Sequence, residues 1–337
     1  MKIAVVVPNW NGEEHLSECL DSLLKQTEKC RVIVADNAST DGSKDLIRKN
    51  FPEVVLVENT KNTGFAGGVN AGIKKAMELK CDAVALFNND AVADKAWLGR
   101  LVAVMAEKTN TGIITGKLMD GDSGKFDSTG DVYTVWGLPY PRGREIKDTG
   151  QYDKPEEVFS GSGGASLYRV KMLKEIGLFD EDFFAYYEDV DISFRAQLAG
   201  WKVFYEPRAL AYHLIGATSS KIKGFTTYQT MKNLQLVWYK NMPRKFIFRT
   251  GWRFFVANTM FMIRALTRGH GWAAAKGDLV GSWLIVKKYG VRKDIQKNKK
   301  VTDEYIWTVL DHDLPPNAKS LRSIRSRWWK ITGKKHK

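Results

Sequence analysis

Four apolar runs in the N-terminal quarter of the chain each end in a polar loop, and three of those loops lead into a helix. Ile3–Val7 is continuous, β-branched and apolar, the pattern of a strand buried on both faces of a parallel sheet. Glu13 to Lys25 follows as a helix with Leu16, Leu20, Leu23 and Leu24 on one stripe. Arg31–Ala35 and Val54–Glu58 predict two more strands, with helices over Lys44–Asn50 and Asn70–Leu79, and Ala83–Phe87 predicts a fourth strand. Strand, loop and helix repeated in this way imply a doubly wound α/β sheet with right-handed crossovers. Ligands of such sheets bind beyond the carboxyl ends of the strands. The loops at 8–13, 36–43, 59–70 and 88–91 should therefore converge on one crevice.

The last of these loops is Asn88-Asn89-Asp90. Clustered oxygen ligands at a strand end suit a hard divalent cation, and an ordinary turn has the same composition. Its position among three other polar loops favours the cation. Gly64-Phe65-Ala66-Gly67-Gly68 is not a dinucleotide-binding fingerprint, and the chain has no P-loop. Residues 97–106 predict a helix. Residues 112–150, rich in Gly, Asp and Pro, predict a long, irregular and mobile excursion bordering the site. The glycine-rich run 160–166 lets backbone pass close to a ligand or another strand. Helices over 170–176 and Glu188–Ala199 and a strand over Lys202–Tyr205 complete this part.

At 337 residues the chain exceeds what one core usually holds, so the expected division is 1–220, 221–310 and 311–337. Three cysteines without paired spacing argue against disulfides or a zinc site and fit a reducing compartment. Met1–Pro8 reads as a first strand rather than a signal peptide. Residues 221–337 hold 26 Lys and Arg against 6 Asp and Glu, a net +20. With +14 for the whole chain, the first 220 residues sum to −6. A basic C-terminal region implies a polyanionic partner, either anionic lipid or nucleic acid. Lys245–Leu266 mixes aromatics with arginines, and its uncharged core, Phe254–Ile263, is shorter than the roughly 20 residues a spanning helix needs. It predicts a helix lying in the lipid headgroup region, or one packed on the protein or on a second subunit of a homo-oligomer. Trp328-Trp329 extends the interfacial character, and the final residues are expected to be disordered. The aromatics are grouped with aliphatics, as in a core or membrane helix, rather than as a stacking platform, so no nucleic acid is expected.

The ordered motifs resemble a family 2 glycosyltransferase of the GT-A fold, similar to bacterial rhamnosyl- and galactofuranosyl-type transferases. The resemblance rests on Val7–Asn11, Val34–Ser43, Asn62–Asn70, Asn88-Asn89-Asp90, Phe179–Phe184, Glu188–Asp191, Gly200-Trp201-Lys202 and His213, and spans about residues 1–240. It implies a Rossmann-like fold with a mixed, mainly parallel sheet, a nucleotide-sugar half at about 1–110, an acceptor half at about 111–220, and a basic helical C-terminal region. It implies an inverting transfer of a hexose or deoxyhexose from a UDP- or dTDP-sugar to a lipid-linked or polysaccharide acceptor. The expected cofactor is Mn²⁺ or Mg²⁺, and the expected location is the cytoplasmic face of the membrane. Carried over residue by residue, the donor site is Pro8, Trp10, Asn11, Glu13, Asp36, Asn37, Asn62, Gly64, Phe65, Asn70, Asn88 and Asn89. Metal binding falls to Asp90, His213 and Asn88. Asn88 stands where the family's D-x-D motif has its first carboxylate, so Asp90 should carry most of the metal interaction. Asp189 is implied as the base beside Glu188, with Gly163, Gly164, Tyr187 and Asp191 on the acceptor side. A nucleotidyltransferase is the other α/β reading, but it would need a basic glycine-rich loop after the first strand, where Asn9–Glu13 stands.

Overall fold

The computed structural model describes residues 1–121, 123–213, 222–316, 318, 322 and 323. The four predicted strands are β1 (Ile3–Asn9), β2 (Arg31–Asp36), β3 (Val55–Glu58) and β4 (Ala83–Phe87), parallel in the order β3-β2-β1-β4. The two-residue period of β1 sends Ile3, Val5 and Val7 to one face, against Leu16, Leu20 and Leu23 of α1 (Glu13–Leu24). Ala4 and Val6 point to the other face, against Val69 and Ile73 of α3 (Gly64–Glu78). Burial on both faces explains why the strand reads as one unbroken apolar run. Between β2 and β3 lies α2 (Ser43–Asn50).

Helix α3 begins six residues earlier than expected, so the glycines taken for a loop form its first turns. They serve close packing: a Cβ on Gly68 would stand 2.5 Å from the Asn37 amide nitrogen and one on Gly67 2.4 Å from the Thr63 side chain. Their helix propensity is poor, but tertiary contact overrides it.

The second half of the sheet is built from distant pieces. After β5 (Ala91–Ala93) and α4 (Trp97–Glu107), β6 (Thr111–Asp120) is a buried ten-residue strand. The next segments are β7 (Phe126–Ser128), β8 (Asp131–Tyr133), β9 (Pro139–Pro141) and β10 (Glu156–Glu157). They are followed by β11 (Ala165–Arg169), α5 (Val170–Ile176), α6 (Glu188–Leu198) and β12 (Lys202–His213). β11 lies antiparallel between β4 and β6, and β6 pairs in parallel with β12. The full order is β10-β12-β6-β11-β4-β1-β2-β3, a mixed sheet whose longest ladders are parallel.

Two expectations change here. The 112–150 stretch is not an irregular excursion. It holds β6 and two short paired strands, β8 and β9, and buries Phe126, Asp127, Thr129 and Tyr133. The strand expected over Lys202–Tyr205 runs on to His213, because a register shift between Glu206 and Leu210 absorbs Pro207, which has no N–H to donate.

The C-terminal helices are α7 (Phe225–Asn241), α8 (Arg244–Thr267), α9 (Gly271–Lys287), α10 (Tyr289–Lys297) and α11 (Asp303–Val309). Leu236, Val237, Met242, Phe246, Leu284 and Ile306 pack in one cluster with Tyr133, Phe159, Phe183 and Phe194. The helices therefore share a core with the sheet domain. The predicted Trp328-Trp329 pair and most of the basic tail lie outside the described residues.

Candidate active site

The loops after β1, β2, β3 and β4 do converge. They line a cavity of about 780 Å³, within the usual size of small-ligand sites. Pro8, Trp10, Asn37, Asn62, Gly64, Phe65, Asn88 and Asn89 stand on one side. Asp90 and His213 stand at its base, and Gly163, Gly164, Tyr187, Glu188 and Asp189 on another wall.

The loops after β1 to β4 are cross-braced. Asn9 is the hub: it accepts from the Asn89 amide at 2.8 Å and donates to Asp36 at 3.0 Å and to Ser39 at 3.2 Å. Asn37 donates to the Gly64 carbonyl and accepts from Asn59 and Thr63. Four of the predicted donor residues do not line the cavity. Asp36 is fully buried and accepts from Asn9 and from the Ser39 N–H. Asn11 and Glu13 fasten the first loop to the second, accepting from Thr40 N–H and Gly42 N–H. Asn70 holds α3 to the 179–181 segment through Phe179 and Glu181.

At the base, His213 Nε2 lies 3.1 Å from Asp90 Oδ1 and 3.0 Å from the Asn88 amide. Its Nδ1 lies 2.7 Å from Asp127 Oδ2. Burial works against the charged imidazole, but Asp127 and Asp90 reverse this and raise its pKa to about 9. Asp127, itself paired with Arg144, fixes the ring so that Nε2 faces Asp90. Among the described residues no three His, Cys, Asp or Glu side chains converge as a metal cage. The donors offered are one carboxylate, one imidazole and, if the Asn88 amide turns over, one amide oxygen. That set suits a cation that takes its remaining oxygens from water or a phosphate chain.

Asp189 opens α6, with both carboxylate oxygens held by backbone. Oδ2 accepts from Gly163 N–H at 2.9 Å and Oδ1 from Val190 N–H at 2.8 Å. Burial raises its pKa above the ordinary range, against the pull of those donors. Glu188 is raised further, by burial and by the charge of Asp189, and one of its oxygens has no partner. The backbone leading in is strained: Phe184, Tyr186 and Tyr187 all have positive φ. Helix α7 clamps it. Asn233 Nδ2 reaches the carbonyls of Phe183, Ala185 and Tyr186 at 2.8–3.0 Å, and Lys232 reaches those of Asp182 and Phe183. Gly64, at φ +71°, lets the Phe184 carbonyl approach α3, where a Cβ would stand 2.3 Å away.

Asp191 does not line the cavity. It is fully buried and bound to Arg195, Lys240 and Asn241. The cavity instead gains Asp131 and Arg144 from the 121–164 segment, along with Asp127. Burial and the charge of Asp189 push Asp131 up to about 7. Sequence reasoning missed all three because they lie where no periodicity organises the chain. The one available signal was the Asp127–Asp131 run of acid, hydroxyl and glycine.

Residues 4–177 match the profile described as "Glycosyl transferase family 2". An N-acetylglucosaminyl-diphospho-decaprenol L-rhamnosyltransferase of Mycobacterium tuberculosis is 29% identical over 231 residues, 63% of this chain and 75% of the relative. The mannosyltransferase PcManGT from Pyrobaculum calidifontis, solved with GDP-Man and Mn²⁺, superposes with TM-score 0.53 at 16% identity. That match covers 91% of this chain and 85% of PcManGT. Staphylococcus aureus TarS 1-349, solved with UDP, superposes with TM-score 0.50 at 20% identity over 72% of this chain and 67% of that one. The profile spans just over half of the residues and the sheet has the GT-A arrangement, so the chain belongs to glycosyl transferase family 2 and is a glycosyltransferase that uses a nucleotide-sugar donor.

Proposed function

We propose that the chain is an inverting, divalent-cation-dependent hexosyl- or deoxyhexosyltransferase of cell-envelope glycan synthesis. It takes its sugar from a UDP- or dTDP-linked donor and passes it to a lipid-linked or polysaccharide acceptor. The observation that carries this reading is one cavity shared by the buried Asp189 carboxylate and the Asp90–Asn88–His213 cluster. The similarity to an L-rhamnosyltransferase acting on a decaprenol diphosphate favours a deoxyhexose and a lipid-linked acceptor.

Trp10, Asn37 and Asn62 form the wall for the nucleotide, on loops braced by Asp36 through Asn9 and Ser39. Asp90, His213 and Asn88 would hold the cation, His213 giving up its Nε2 proton as the cation binds, and the imidazole favours Mn²⁺ over Mg²⁺. When bound, the cation supplies Lewis-acid stabilisation of the leaving diphosphate. Asp189 takes the acceptor hydroxyl proton as that oxygen bonds to the anomeric carbon, while the C–O bond to the diphosphate breaks and its electron pair leaves on the phosphate oxygen. One base suffices for this single displacement. Burial and the charge of Asp189 raise the Glu188 pKa, which disfavours a second charge beside the base.

The test is nucleoside diphosphate release by the full chain, given a panel of UDP- and dTDP-sugars, a polyprenyl-diphosphate glycan acceptor and Mn²⁺. Release should require both metal and acceptor; undiminished release in excess EDTA would overturn the metal assignment. A second expectation concerns Asp127. Asp127→Asn should weaken Mn²⁺ binding by about 10–100-fold, because the ring of His213 loses its anionic anchor. Mn²⁺ titration by calorimetry in the presence of donor reads this directly, and unchanged affinity would remove Asp127 from the site.

A further inference from the structure

Helices α8 and α9 each have one face packed on the protein and one left bare. On α8 the buried positions are Phe246, Thr250, Phe254, Ala257 and Ala265. Its exposed positions are Phe248, Trp252, Phe255, Ile263 and Leu266, spaced by three, four, seven or eight residues and therefore on a second stripe. Helix α9 is apolar on both sides. Ala274, Gly277, Gly281 and Leu284 face α7, while Trp272, Leu279, Trp283 and Val286 face outward. Trp272 is 81% exposed and Leu279 70%, values that single surface residues reach but a contiguous stripe on two adjacent helices rarely does. Exposed Lys245 and Arg249 on α8 and Lys276 and Lys287 on α9 lie beside the stripe, Lys245 pairing with Glu304 and Lys287 with Asp182.

The face also has a fixed relation to the cavity. Trp252 stacks edge-on against Trp136, and Phe254 lies under Gly137, just before the cavity-lining Pro139-Tyr140-Pro141. At the other end, a Cβ on Gly224 would stand 3.2 Å from Ala273 and 3.8 Å from His270, next to the cavity-lining Ile222, Phe225 and Thr226. Among the described residues no helix is long and apolar enough to cross a membrane.

We propose that the bare face of the α8–α9 hairpin docks on an anionic lipid bilayer, lying in the headgroup layer, with the cavity mouth held beside the membrane. Charge and chemistry select this partner. Basic residues on an aromatic and aliphatic stripe match anionic headgroups over acyl chains, with tryptophans at the boundary. A nucleic acid would leave the aliphatic side chains uncovered. A second copy of the chain would bring the same positive rim against itself. The docking face stands on its own observations; only the purpose of the mouth's placement rests on the lipid-linked acceptor proposed above.

The full chain should pellet with vesicles containing 30 mol% phosphatidylglycerol and bind neutral phosphatidylcholine vesicles much more weakly. Removing one exposed flanking charge, as in Lys276→Gln, should weaken binding to the anionic vesicles by about fivefold. The triple variant Trp272→Glu, Leu279→Glu, Trp283→Glu should lose vesicle binding altogether. Its nucleoside diphosphate release with a short water-soluble acceptor should match that of the parent, which separates failure of docking from failure of catalysis. Unchanged pelleting of the triple variant would overturn the proposal. So would equal binding to neutral vesicles, or a concentration-dependent dimer in sedimentation velocity that the triple variant abolishes while vesicle binding is absent.

Discussion

Asp189→Ala is expected to lower kcat by about 10²–10⁴ while leaving the affinity for the donor within about twofold. The carboxylate is held by the Gly163 and Val190 N–H groups, and among the described residues no hydrogen bond joins it to Asp90, Asn88 or His213. Its removal should therefore take away the proposed proton acceptor without disturbing the proposed donor pocket. Water from the cavity can satisfy the two freed N–H groups, so the fold should survive. The pH profile adds a second readout. The base works in its ionised form, and burial lifts its pKa above the ordinary 3.9 or so of an aspartate. At saturating Mn²⁺ the rate should therefore fall, as pH is lowered, earlier than for an unperturbed aspartate. Single-turnover kinetics with saturating donor would measure both effects, and full activity in Asp189→Ala would remove the assignment.

Lys240→Ala carries the largest expected loss of stability, about 3 kcal/mol. Lys240 is buried and bridges Asp180 at 2.6 Å and Asp191 at 2.9 Å. Its loss leaves two buried carboxylates short of one cation, although Lys288 still pairs with Asp180 and Arg195 with Asp191. The remaining partners place the value at the low end for a broken buried pair. The sign of the pH dependence follows. Burial disfavours the Asp180 carboxylate, but Lys240 and Lys288 outweigh it and hold its pKa below the ordinary value. A depressed folded pKa gives stability that is present above about pH 4 and lost as pH falls through the folded pKa. Lys240→Ala should thus lose more stability at pH 7 than in strong acid. Urea unfolding at the two pH values would show this, and equal losses would mean that packing, not charge, dominates.

The two halves of the site were unequally legible in the sequence. Strands β1, β2 and β4 are buried on both faces, so their runs and the loops that end them can be read directly, and Asn88 and Asp90 follow from strand position. His213 and Asp189 came from resemblance, because a lone histidine and a helix-opening acid carry no periodic signal. Asp127, Asp131 and Arg144 were missed because β7, β8 and β9 are too short to show alternation and owe their place to partners far along the chain. Lys232, Asn233, Lys240 and Asn241 were passed over for a related reason. Polar side chains on a helix usually mark its solvent face, whereas here α7 turns them inward to meet strained backbone and buried acids. Asp191 was misplaced by its neighbours: it shares a helix turn with Asp189 but points into that buried network.

The antiparallel placement of β11 between β4 and β6 has a consequence for the order of assembly. During synthesis β4 emerges with one edge paired to β1 and the other open, and its partner Ala165–Arg169 is made some eighty residues later. Until then the nascent chain displays a fully apolar strand edge, the kind that invites pairing with other chains. Residues 111–120 meet an equal delay before 202–213 arrives. Contacts of such long sequence separation close slowly. Since His213 is the last residue of that final strand, the loops after β1 to β4 are made long before the base of the cavity, and the proposed capacity for metal should appear only after residues 202–213 have paired.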